Sequence, residues 1–532
     1  MAQLMIPTNV NGHNTMTDVN KSARIQELTK QLYNNSVILA PMVRANSLPF
    51  RLLCLEQGVH TVHSEEIIDR KLVNCRRVVN CALGTVDFIV DKTVLFQTFP
   101  AMERGSLVLQ LGTSTPESAL KAARLVEQDV SGIDINMGCP KKFSIQAGMG
   151  AALLGTVDLA CSIVSTLRAH LSIPVSAKIR LLDPSPVAMA ATAGDGDGDG
   201  ATAGDAERRA SVVDNTADFI IALIKAGVCA VTVHCRTRYV SSSESLAQYE
   251  LLAPVIAKVR AYEAATTSAA STAPIPIISN GDHYGCADVA RHVEQSGCNG
   301  VMLGRPLLLN ASLAAPLRAW FDQRRANSSS SGTNDSLSAV RTRGMLSQTQ
   351  VIKAYLPLCL RFKPPFVVVK YGLQEMTVFR RHPPSKLRSV VELGAIDADG
   401  INPTSGLPLS KNKRFDKISA AKTMRDLCLV FELESEYDAS LITKADPVES
   451  SAVVVVAAAA AAAAAAIPVG SKRVLAMVTE TKKRLREDGF HNSVPAHKFD
   501  DAYFAETITA TTTAPTPTLA NSDTGGDGSN SA

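Results

Sequence analysis

The sequence lacks the cysteine spacing of a disulfide-rich or zinc-binding protein. Its 11 cysteines are scattered along 532 residues, with neither a CxxC pair nor a Cys/His cluster at zinc spacing. This pattern excludes a disulfide framework and predicts no metal site. Scattered thiols are typical of a reducing compartment, so we expect a cytoplasmic protein and allow for the nucleus as a second location.

The sequence also has few features of a secreted or membrane protein. A basic segment followed by an apolar stretch is missing near Met1, so we expect no signal peptide. One apolar tract, Val453–Val469, is mostly alanine, which is too weakly apolar to hold a helix in a bilayer. We therefore expect no membrane partner. The net charge of +4 is small and excludes no class of protein.

Length and composition predict several segments rather than one domain. A single α/β barrel takes about 250 residues, fewer than half of this chain. Hydrophobic residues make up 46%, which is enough for a large core. The predicted segments are a flexible tail at 1–30, a barrel at 31–325 with a disordered insertion at about 185–210, a linker at 326–338, a basic helical domain at 339–445 and a low-complexity tail at 446–532.

Eight short β-rich runs alternate with helical patterns between residues 36 and 320. Such alternation predicts a parallel sheet, and eight units favour closure into a (β/α)8 TIM barrel. The alternative, an open Rossmann-like sheet, is weakened because no GxGxxG follows the first run. The candidate strands are 37–40, 59–63, 107–111, 132–136, 175–179, 230–234, 275–279 and 300–303, and helical patterns include 115–128, 151–169, 216–226 and 286–296.

Polar residues stand at the ends of these runs. The active site of such a barrel lies at the carboxyl face of its strands. Polar ends can simply meet water, but eight of them on one face favour a functional site. The end residues are Pro41-Met42, Glu65-Glu66, Gln110, Asn136 to Pro140, Lys178, His234, Asn280-Gly281-Asp282 and Gly304-Arg305.

The last two ends carry a phosphate-binding pattern. Loops after the seventh and eighth strands commonly hold a phosphate in such barrels. Gly281 lets the backbone approach closely, and Arg305 can grip phosphate oxygens in a fork. Together with Asn280, Asp282 and Gly304, they predict a phosphorylated cofactor.

Lys178, at the end of the fifth strand, needs an anionic partner in the opening of the barrel. A reduced flavin ring carries negative charge that a lysine stabilises, and Gln110 and His234 could hydrogen-bond the same ring. The alternative is a Schiff-base nucleophile of an aldolase-type barrel. These residues leave both possibilities open.

Cys139 follows the fourth strand directly. Gly138 and Pro140 predict a sharp turn that presents the thiol, although most cysteines are small core residues. We favour the presented thiol and keep the core residue as the alternative. The glycine-rich run 148–154 predicts a flexible loop that enters a helix and closes over the site.

The region after the linker is strongly basic. Between Ala339 and Arg425, 16 Lys and Arg residues stand against 5 Asp and Glu residues, a net charge of +11. Such a one-sided excess predicts a polyanion partner, and RNA is the obvious one. Helical patterns at 345–360 and 418–431 predict that this domain is all-helical.

These runs resemble those of the dihydrouridine synthases, FMN-dependent barrel enzymes that reduce uridine in tRNA. The similarity covers about residues 36–320, and Asn136–Pro140 followed by Gly150–Leu154 is its most specific part. The eukaryotic branch that modifies position 20 of the D-loop is the most similar one. Other matching runs are Ala40–Arg44, Ser64–Ile67, Gln110–Gly112, Lys178–Arg180, Val233-His234, Asn280–Asp282 and Gly304-Arg305.

The resemblance implies FMN as cofactor, NADPH as reductant and tRNA as substrate. It implies that hydride reaches C6 of a flipped uracil while Cys139 protonates C5. An ordinary thiol is mostly protonated at neutral pH, which suits an acid. The cofactor-binding residues implied are Pro41, Met42, Gln110, Lys178, His234, Asn280, Gly281, Asp282, Gly304 and Arg305.

Three features depart from the family pattern. His234-Cys235-Arg236 replaces His-Gly-Arg, which predicts a tighter or redox-sensitive loop; the Gly-Asp insertion is extra; and we find no double-stranded-RNA-binding domain after the helical region. Two alternative functions remain. A flavin barrel for a small molecule, similar to dihydroorotate dehydrogenase, would not need the basic region, and a non-catalytic RNA-binding protein would not need Cys139 or Lys178. We expect a monomer.

Overall fold

A computed structural model of the chain describes residues 15–190, 203–238, 245–266, 273–327 and 345–442, the last range with short gaps at 380–381, 384, 388–390, 392–393, 403–404 and 412–413. The predicted low-complexity tail, with its alanine tract, and nearly all of the predicted linker lie outside the described residues. Up to Ser440 the described chain forms one compact unit. No helix in these ranges is long and apolar enough to cross a membrane.

The described residues form eleven strands: β1 (Ser36–Leu39), β2 (Thr61–Ile68), β3 (Arg76–Asn80), β4 (Thr85–Val90), β5 (Thr93–Thr98), β6 (Leu107–Gly112), β7 (Gly132–Met137), β8 (Val175–Arg180), β9 (Ala230–His234), β10 (Ile277–Asn280) and β11 (Gly300–Leu303). Eight of them are parallel and close into a barrel in the order β1-β11-β10-β9-β8-β7-β6-β2. The eight predicted strands and the TIM-barrel class are confirmed, and the open Rossmann-like sheet is wrong.

The described helices surround the barrel and continue beyond it: α1 (Thr15–Tyr33), α2 (Leu48–Glu56), α3 (Asp69–Val73), α4 (Pro100–Glu103), α5 (Pro116–Val126), α6 (Lys142–Gln146), α7 (Val157–His170), α8 (Pro186–Ala190), α9 (Ala203–Lys225), α10 (Leu252–Thr266), α11 (Cys286–Ser296), α12 (Arg305–Leu309), α13 (Ala314–Asn327), α14 (Gln348–Phe362), α15 (Phe366–Met376), α16 (Phe415–Ala420), α17 (Met424–Val430) and α18 (Glu434–Ile442). The predicted insertion at about 185–210 extends too far, because α8 and the start of α9 are helical there. Its residues 191–202 lie outside the described ranges.

The barrel interior changes from apolar to polar along its axis. Successive strand residues point to opposite faces, so every second residue points inward. Near the amino ends, the inward side chains of Ile38, Val108, Ala230, Ile278 and Met302 form one apolar cluster. Two residues further along β6, β9 and β10, the inward positions are the polar residues Gln110, Thr232 and Asn280. This change places the polar chemistry at the carboxyl end of the barrel.

Helix α1 corrects the flexible tail predicted at 1–30 from Thr15 onward, and residues 1–14 lie outside the described ranges. Ile25, Thr29 and Leu32 recur at helical spacing and are buried. Leu32 and Tyr33 join the apolar cluster that closes the amino end of the barrel, and the Tyr33 hydroxyl donates a hydrogen bond to Ser176 Oγ at 2.8 Å. Most of the 19 residues of α1 are polar, so its periodic signal was too weak to predict a helix.

An antiparallel sheet of β3, β4 and β5 lies between β2 and β6 in the sequence and was not predicted. Its strands are joined by short turns at Gly84 and Asp91, whose φ angles of 71° and 52° are left-handed. Phe88 and Phe96 pack across the sheet with ring centroids 5.5 Å apart. Strands of five or six residues with mixed polarity give no clear alternation, which explains why the sequence pattern missed them.

The helical region after residue 345 packs directly on the barrel. Phe50 of α2 meets Tyr355 of α14 edge-on at 6.3 Å, and the Asn310 side chain donates to the carbonyls of Leu346 and Ala395. The helix predicted at 418–431 is two helices, α16 and α17, because Thr423 caps a new helix with its side chain. The all-helical character of the region is confirmed, and the exact domain boundaries stay predictions.

Candidate active site at the carboxyl end of the barrel

Half-buried side chains mark the opening of the barrel. Within the buried strand β8, Lys178 and Arg180 are the partly exposed positions, and His234 is the one in β9. Glu66 near the end of β2 is also partly exposed. These residues lie at the carboxyl ends of parallel strands, which meet at one face of a barrel. We call this opening the barrel mouth.

A bulge in β2 aims Glu66 into the barrel mouth. The register of β2 and β6 shifts between His63 and Glu66, so that Glu66 pairs with the inward-facing Gln110. Without the extra residue, Glu66 would pair with Leu111, which is fully buried in the helix layer. Burial raises the pKa of Glu66, against the lowering effect of Asn136 and of the positive charge of Lys141.

Hydrogen bonds to three other residues fix the turn at Cys139. Asn136 Oδ1 accepts hydrogen bonds from the amides of Gly138, at 3.0 Å, and Cys139, at 3.1 Å. Arg180 Nε donates to the Gly138 carbonyl at 2.9 Å, and Ala151 N donates to the Cys139 carbonyl at 2.9 Å. Cys139 itself is half-buried, which favours a thiol presented at the mouth over a core residue.

The run 148–154 enters a helix as predicted, but most of it is packed rather than a flexible loop. The chain forms a short 3-10 helix at Gly150–Gly155, in which Leu153 is fully buried. Gly150 has a left-handed φ of 58°, and a Cβ there would lie 2.7 Å from the Cys139 carbonyl oxygen. The run therefore packs directly against the Cys139 turn, too tightly to act as a lid.

Lys178 is a half-buried cation in the barrel mouth. Burial and the nearby charge of Arg180 lower its pKa to about 8, against the opposing effects of Asp134 and Cys139. Its Nζ makes no hydrogen bond or ion pair with any described residue. A half-buried ammonium without such a partner among the described residues favours an anionic ligand in the mouth. In register, Lys178 pairs with Asn136, three residues before Cys139, so the two residues lie at the ends of neighbouring strands.

Asp134 lies one layer below the mouth and was missed in the sequence as a site residue. Its carboxylate accepts hydrogen bonds from Gln110 Nε2 at 2.8 Å and from Ser176 Oγ at 2.7 Å. Burial raises its pKa to about 6. The predicted site residue Gln110 is therefore oriented by Asp134. The available signal was the spacing of two from Asn136, which puts both side chains inside the barrel.

His234 is a neutral side chain among cations. Its pKa lies well below the ordinary value because of burial, reinforced by Lys178 and three arginines, which include Arg236 and Arg305. Arg236 Nη1 lies 3.1 Å from His234 Nε2, and an arginine can only donate, so this nitrogen accepts. The next residue, Cys235, is fully buried, and burial raises its pKa to about 12. Buried thiols are inert, so the burial of Cys235 does not favour the redox-sensitive loop, which stays a prediction.

Asp282 is buried and holds two arginines. Its carboxylate pairs with Arg236 and, at 2.5 Å, with Arg305, and its side chain is fully shielded from solvent. Asp282 would therefore act on a phosphate through Arg305, whose side chain is 25% exposed. Gly281 is needed for packing, because a Cβ there would lie 2.8 Å from Ala247 Cβ.

The other predicted residues also lie at this end of the barrel. Pro41 and Met42 are half-buried after β1, and a Cβ on Gly304 would lie 3.3 Å from Met42 Sδ. Asn280 is buried, and its Nδ2 donates to the Met302 carbonyl at 2.7 Å, which ties β10 to β11. All of the predicted site residues are thus at the carboxyl ends of their strands.

The donor set fits an anionic cofactor that carries a phosphate. Lys178, Arg180, Arg236 and Arg305 surround His234, and the two buried carboxylates, Asp134 and Asp282, only partly balance them. A positive mouth with a guanidinium at its rim suits phosphate oxygens. Within the described ranges, no group of His, Cys, Asp or Glu side chains could hold a metal ion.

Two yeast proteins are similar to this chain. The tRNA-dihydrouridine(20) synthase (NAD(P)+) of Saccharomyces cerevisiae is 49% identical over 162 residues, which are 28% of this chain and 42% of that protein. The protein of the same name from Schizosaccharomyces pombe is 31% identical over 353 residues, 65% of this chain and 60% of that protein. The chain thus spans less than two thirds of the length of either relative.

The family match covers the barrel and the residues of its mouth. The model of the family described as dihydrouridine synthase (Dus) matches residues 38–188 and 209–342, together more than half of the chain. This range contains Cys139, Lys178 and the phosphate-suited arginine, Arg305. The chain belongs to the dihydrouridine synthase family.

Proposed function

We propose that the chain is an FMN-dependent tRNA-dihydrouridine synthase that reduces the C5–C6 double bond of uridine 20 in the D-loop of tRNA, with NADPH as reductant. The observation that carries this proposal is the shared barrel mouth of the half-buried Cys139 thiol and the Lys178 ammonium, which has no hydrogen-bond or ion-pair partner among the described residues. Both similar yeast proteins are named for position 20, which supports the choice of uridine.

The residues of the mouth would divide the binding of FMN between phosphate and ring. Arg305, oriented by Asp282, would grip the phosphate beside the backbone of Asn280 and Gly281. Lys178 and Gln110 would contact the ring, with His234, Pro41, Met42 and Gly304 around it. FMN, when bound, supplies the hydride that goes to C6 of the uracil.

Cys139 would supply the proton that completes the reduction. The C5–C6 double bond gains a hydride at C6 and a proton at C5, and the proton comes from the Cys139 thiol. Asn136 and Ala151 fix the backbone of Cys139 from both sides, so the thiol is held ready in one place. The Lys178 ammonium, on the neighbouring strand, would stabilise the thiolate left behind until solvent returns the proton.

The basic helical region would hold the tRNA. Its net charge of +11 between Ala339 and Arg425 suits a polyanion, and it packs directly against the barrel through Tyr355 and Phe50. The target uridine must leave its stack to reach the mouth. We propose a monomer that acts in the cytoplasm and has access to the nucleus.

The test uses the full-length protein with its bound flavin. We expect the released flavin to be FMN, NADPH to bleach it under anaerobic conditions, and unmodified tRNA to reoxidise it with dihydrouridine formed at position 20. Dihydrouridine elsewhere would refute the positional assignment. Reoxidation by orotate instead of tRNA would identify a small-molecule enzyme, and tRNA binding without flavin would identify a non-catalytic RNA-binding protein.

The Cys139→Ala variant tests the acid role separately. We expect it to keep its FMN and its bleaching by NADPH, because the side chain contributes little to the fold, and to lose nearly all uridine reduction. General acid catalysis typically contributes about 100- to 10,000-fold. Full turnover in Cys139→Ala would remove the acid role and leave the rest of the proposal in place.

A further inference from the structure

Two large apolar side chains remain exposed immediately after the Cys139 turn. In α6, the side chain of Phe143 is 54% exposed and that of Ile145 is 42% exposed. The neighbouring Lys141 and Lys142 are exposed as well. An aromatic side chain left in water beside cations favours a binding surface over a purely structural role.

Helix α6 is fixed to the Cys139 turn. Its inner residue, Ser144, is fully buried, its amide donates to the Lys141 carbonyl, and its carbonyl accepts the Met149 amide at 2.9 Å. One residue after Gly150, the Ala151 amide binds the Cys139 carbonyl. The exposed side chains therefore keep a set distance from the thiol instead of moving on a free loop.

The exposed residues of α6 surround its one buried residue, Ser144. Each residue turns a helix by about 100°, so with Ser144 facing the barrel, Phe143 and Ile145 project from the two flanks of the helix and Lys142 from its outer side. Lys141 lies at the edge nearest the mouth, where its charge acts on Glu66. We call Lys141, Lys142, Phe143 and Ile145 the α6 platform. It combines an aromatic face, an aliphatic side chain and two cations.

We propose that the α6 platform binds the unpaired nucleotide next to the target uridine, with its base stacked on Phe143 and its phosphates paired with Lys141 and Lys142. This inference rests on the proposed function. Proteins recognise single-stranded RNA by stacking splayed bases on aromatic side chains beside a cationic track. A base held on the platform would keep the neighbouring uridine unstacked at the mouth.

The experiment measures the reactions of the holoenzyme with tRNA and with NADPH separately. The variants are Phe143→Ala, Phe143→Tyr, which keeps a ring, and the control Val94→Ala, which removes an exposed apolar side chain of β5 that is 46% exposed. We measure the Kd for an unmodified tRNA transcript, single-turnover flavin reoxidation by that tRNA, and flavin bleaching by NADPH. Flavin content and far-ultraviolet circular dichroism confirm that each variant is folded.

We expect Phe143→Ala to raise the Kd for tRNA about 10-fold or more, since a stacked base is lost, and Phe143→Tyr to remain near wild type. Reoxidation of Phe143→Ala should recover at saturating tRNA. Affinity in Phe143→Ala equal to that in Val94→Ala would overturn the inference, and slower bleaching by NADPH would assign the platform to the reductant instead. A wild-type protein that tRNA fails to reoxidise would overturn the proposed function as well.

Discussion

Asp282 binds Arg305 at 2.5 Å while its other carboxylate oxygen pairs with Arg236. The carboxylate is fully shielded from solvent, and Arg236 is almost fully buried, whereas Arg305 reaches the mouth. One buried anion therefore fixes two cations, Arg236, which contacts His234, and Arg305, whose side chain is 25% exposed. The phosphate grip and the neutral imidazole depend on the same carboxylate.

The Asp282→Asn variant should lose both stability and cofactor. Removing one partner of a buried ion pair leaves uncompensated charge, so we expect the free energy of unfolding to fall by about 3–5 kcal/mol and most of the FMN to be lost. Chemical denaturation and flavin content measure the two effects. The control Asp288→Asn breaks an exposed pair with Arg291 and should change stability by less than about 1 kcal/mol. Equal stability of the two variants would contradict the role of Asp282.

Lys178 should lower the stability of the ligand-free protein at neutral pH. Its pKa of about 8 lies below the ordinary 10.5, so between these values the unfolded chain binds more protons and the free energy of unfolding rises with pH. Lys178→Met removes the cost of the buried charge. We expect the variant to be more stable by about 1–2 kcal/mol at pH 7, after a discount for partial exposure, with a smaller difference at pH 9.5.

Urea denaturation at pH 7 and pH 9.5 tests this prediction, together with the Kd for FMN. The variant should bind FMN more weakly, because it has lost the cation that faces the ring. The control Lys258→Met, in an exposed pair with Asp214, should show neither effect. A Lys178→Met protein that is less stable than wild type at pH 7 would contradict the prediction. It would show that other groups of the ligand-free protein offset the free-energy cost of burying the ammonium.

Local patterns were enough to predict the barrel and the position of its site. The strands of a parallel barrel are nearly continuous apolar runs, and the residue that follows each run necessarily comes to the carboxyl face. Cys139 was predictable for the same reason, since Gly138 and Pro140 fix its turn within a few residues. The half-exposure of Lys178 at the end of β8 follows directly from strand geometry.

The pairings within the site could not be read from local patterns. Asp282 lies 46 residues from Arg236 and 23 from Arg305, so nothing in the spacing indicates that one carboxylate binds both. The bulge that turns Glu66 inward depends on the register with β6, a tertiary property. Helix α1 was missed because most of its residues are polar, which left only a weak periodic signal.

The apolar cluster that closes the amino end of the barrel should depend on α1 for its stability. Leu32 is fully buried in the cluster that closes the amino end, so Leu32→Ala should lower the free energy of unfolding by about 2–5 kcal/mol. The control Leu28→Ala removes a partly buried side chain of the same helix and should cost less. Thermal and urea denaturation measure both. Wild-type stability in Leu32→Ala would restore the prediction of a flexible tail up to residue 30.

Gly150 should be required for turnover but not for cofactor binding. Its φ of 58° disfavours any side chain, and a Cβ would lie 2.7 Å from the Cys139 carbonyl and 2.9 Å from Cys139 Cβ, so Gly150→Ala must displace the thiol. A misplacement of that size can lower the rate roughly 100-fold. The matched control is Gly155→Ala at the end of the same 3-10 helix, where a Cβ meets nothing within 4 Å.

Single-turnover reoxidation by tRNA and flavin content should show slow turnover with normal FMN in Gly150→Ala and wild-type values in Gly155→Ala. Normal turnover in Gly150→Ala would mean that the thiol tolerates displacement, and loss of FMN would mean that this run supports the cofactor site rather than Cys139 alone.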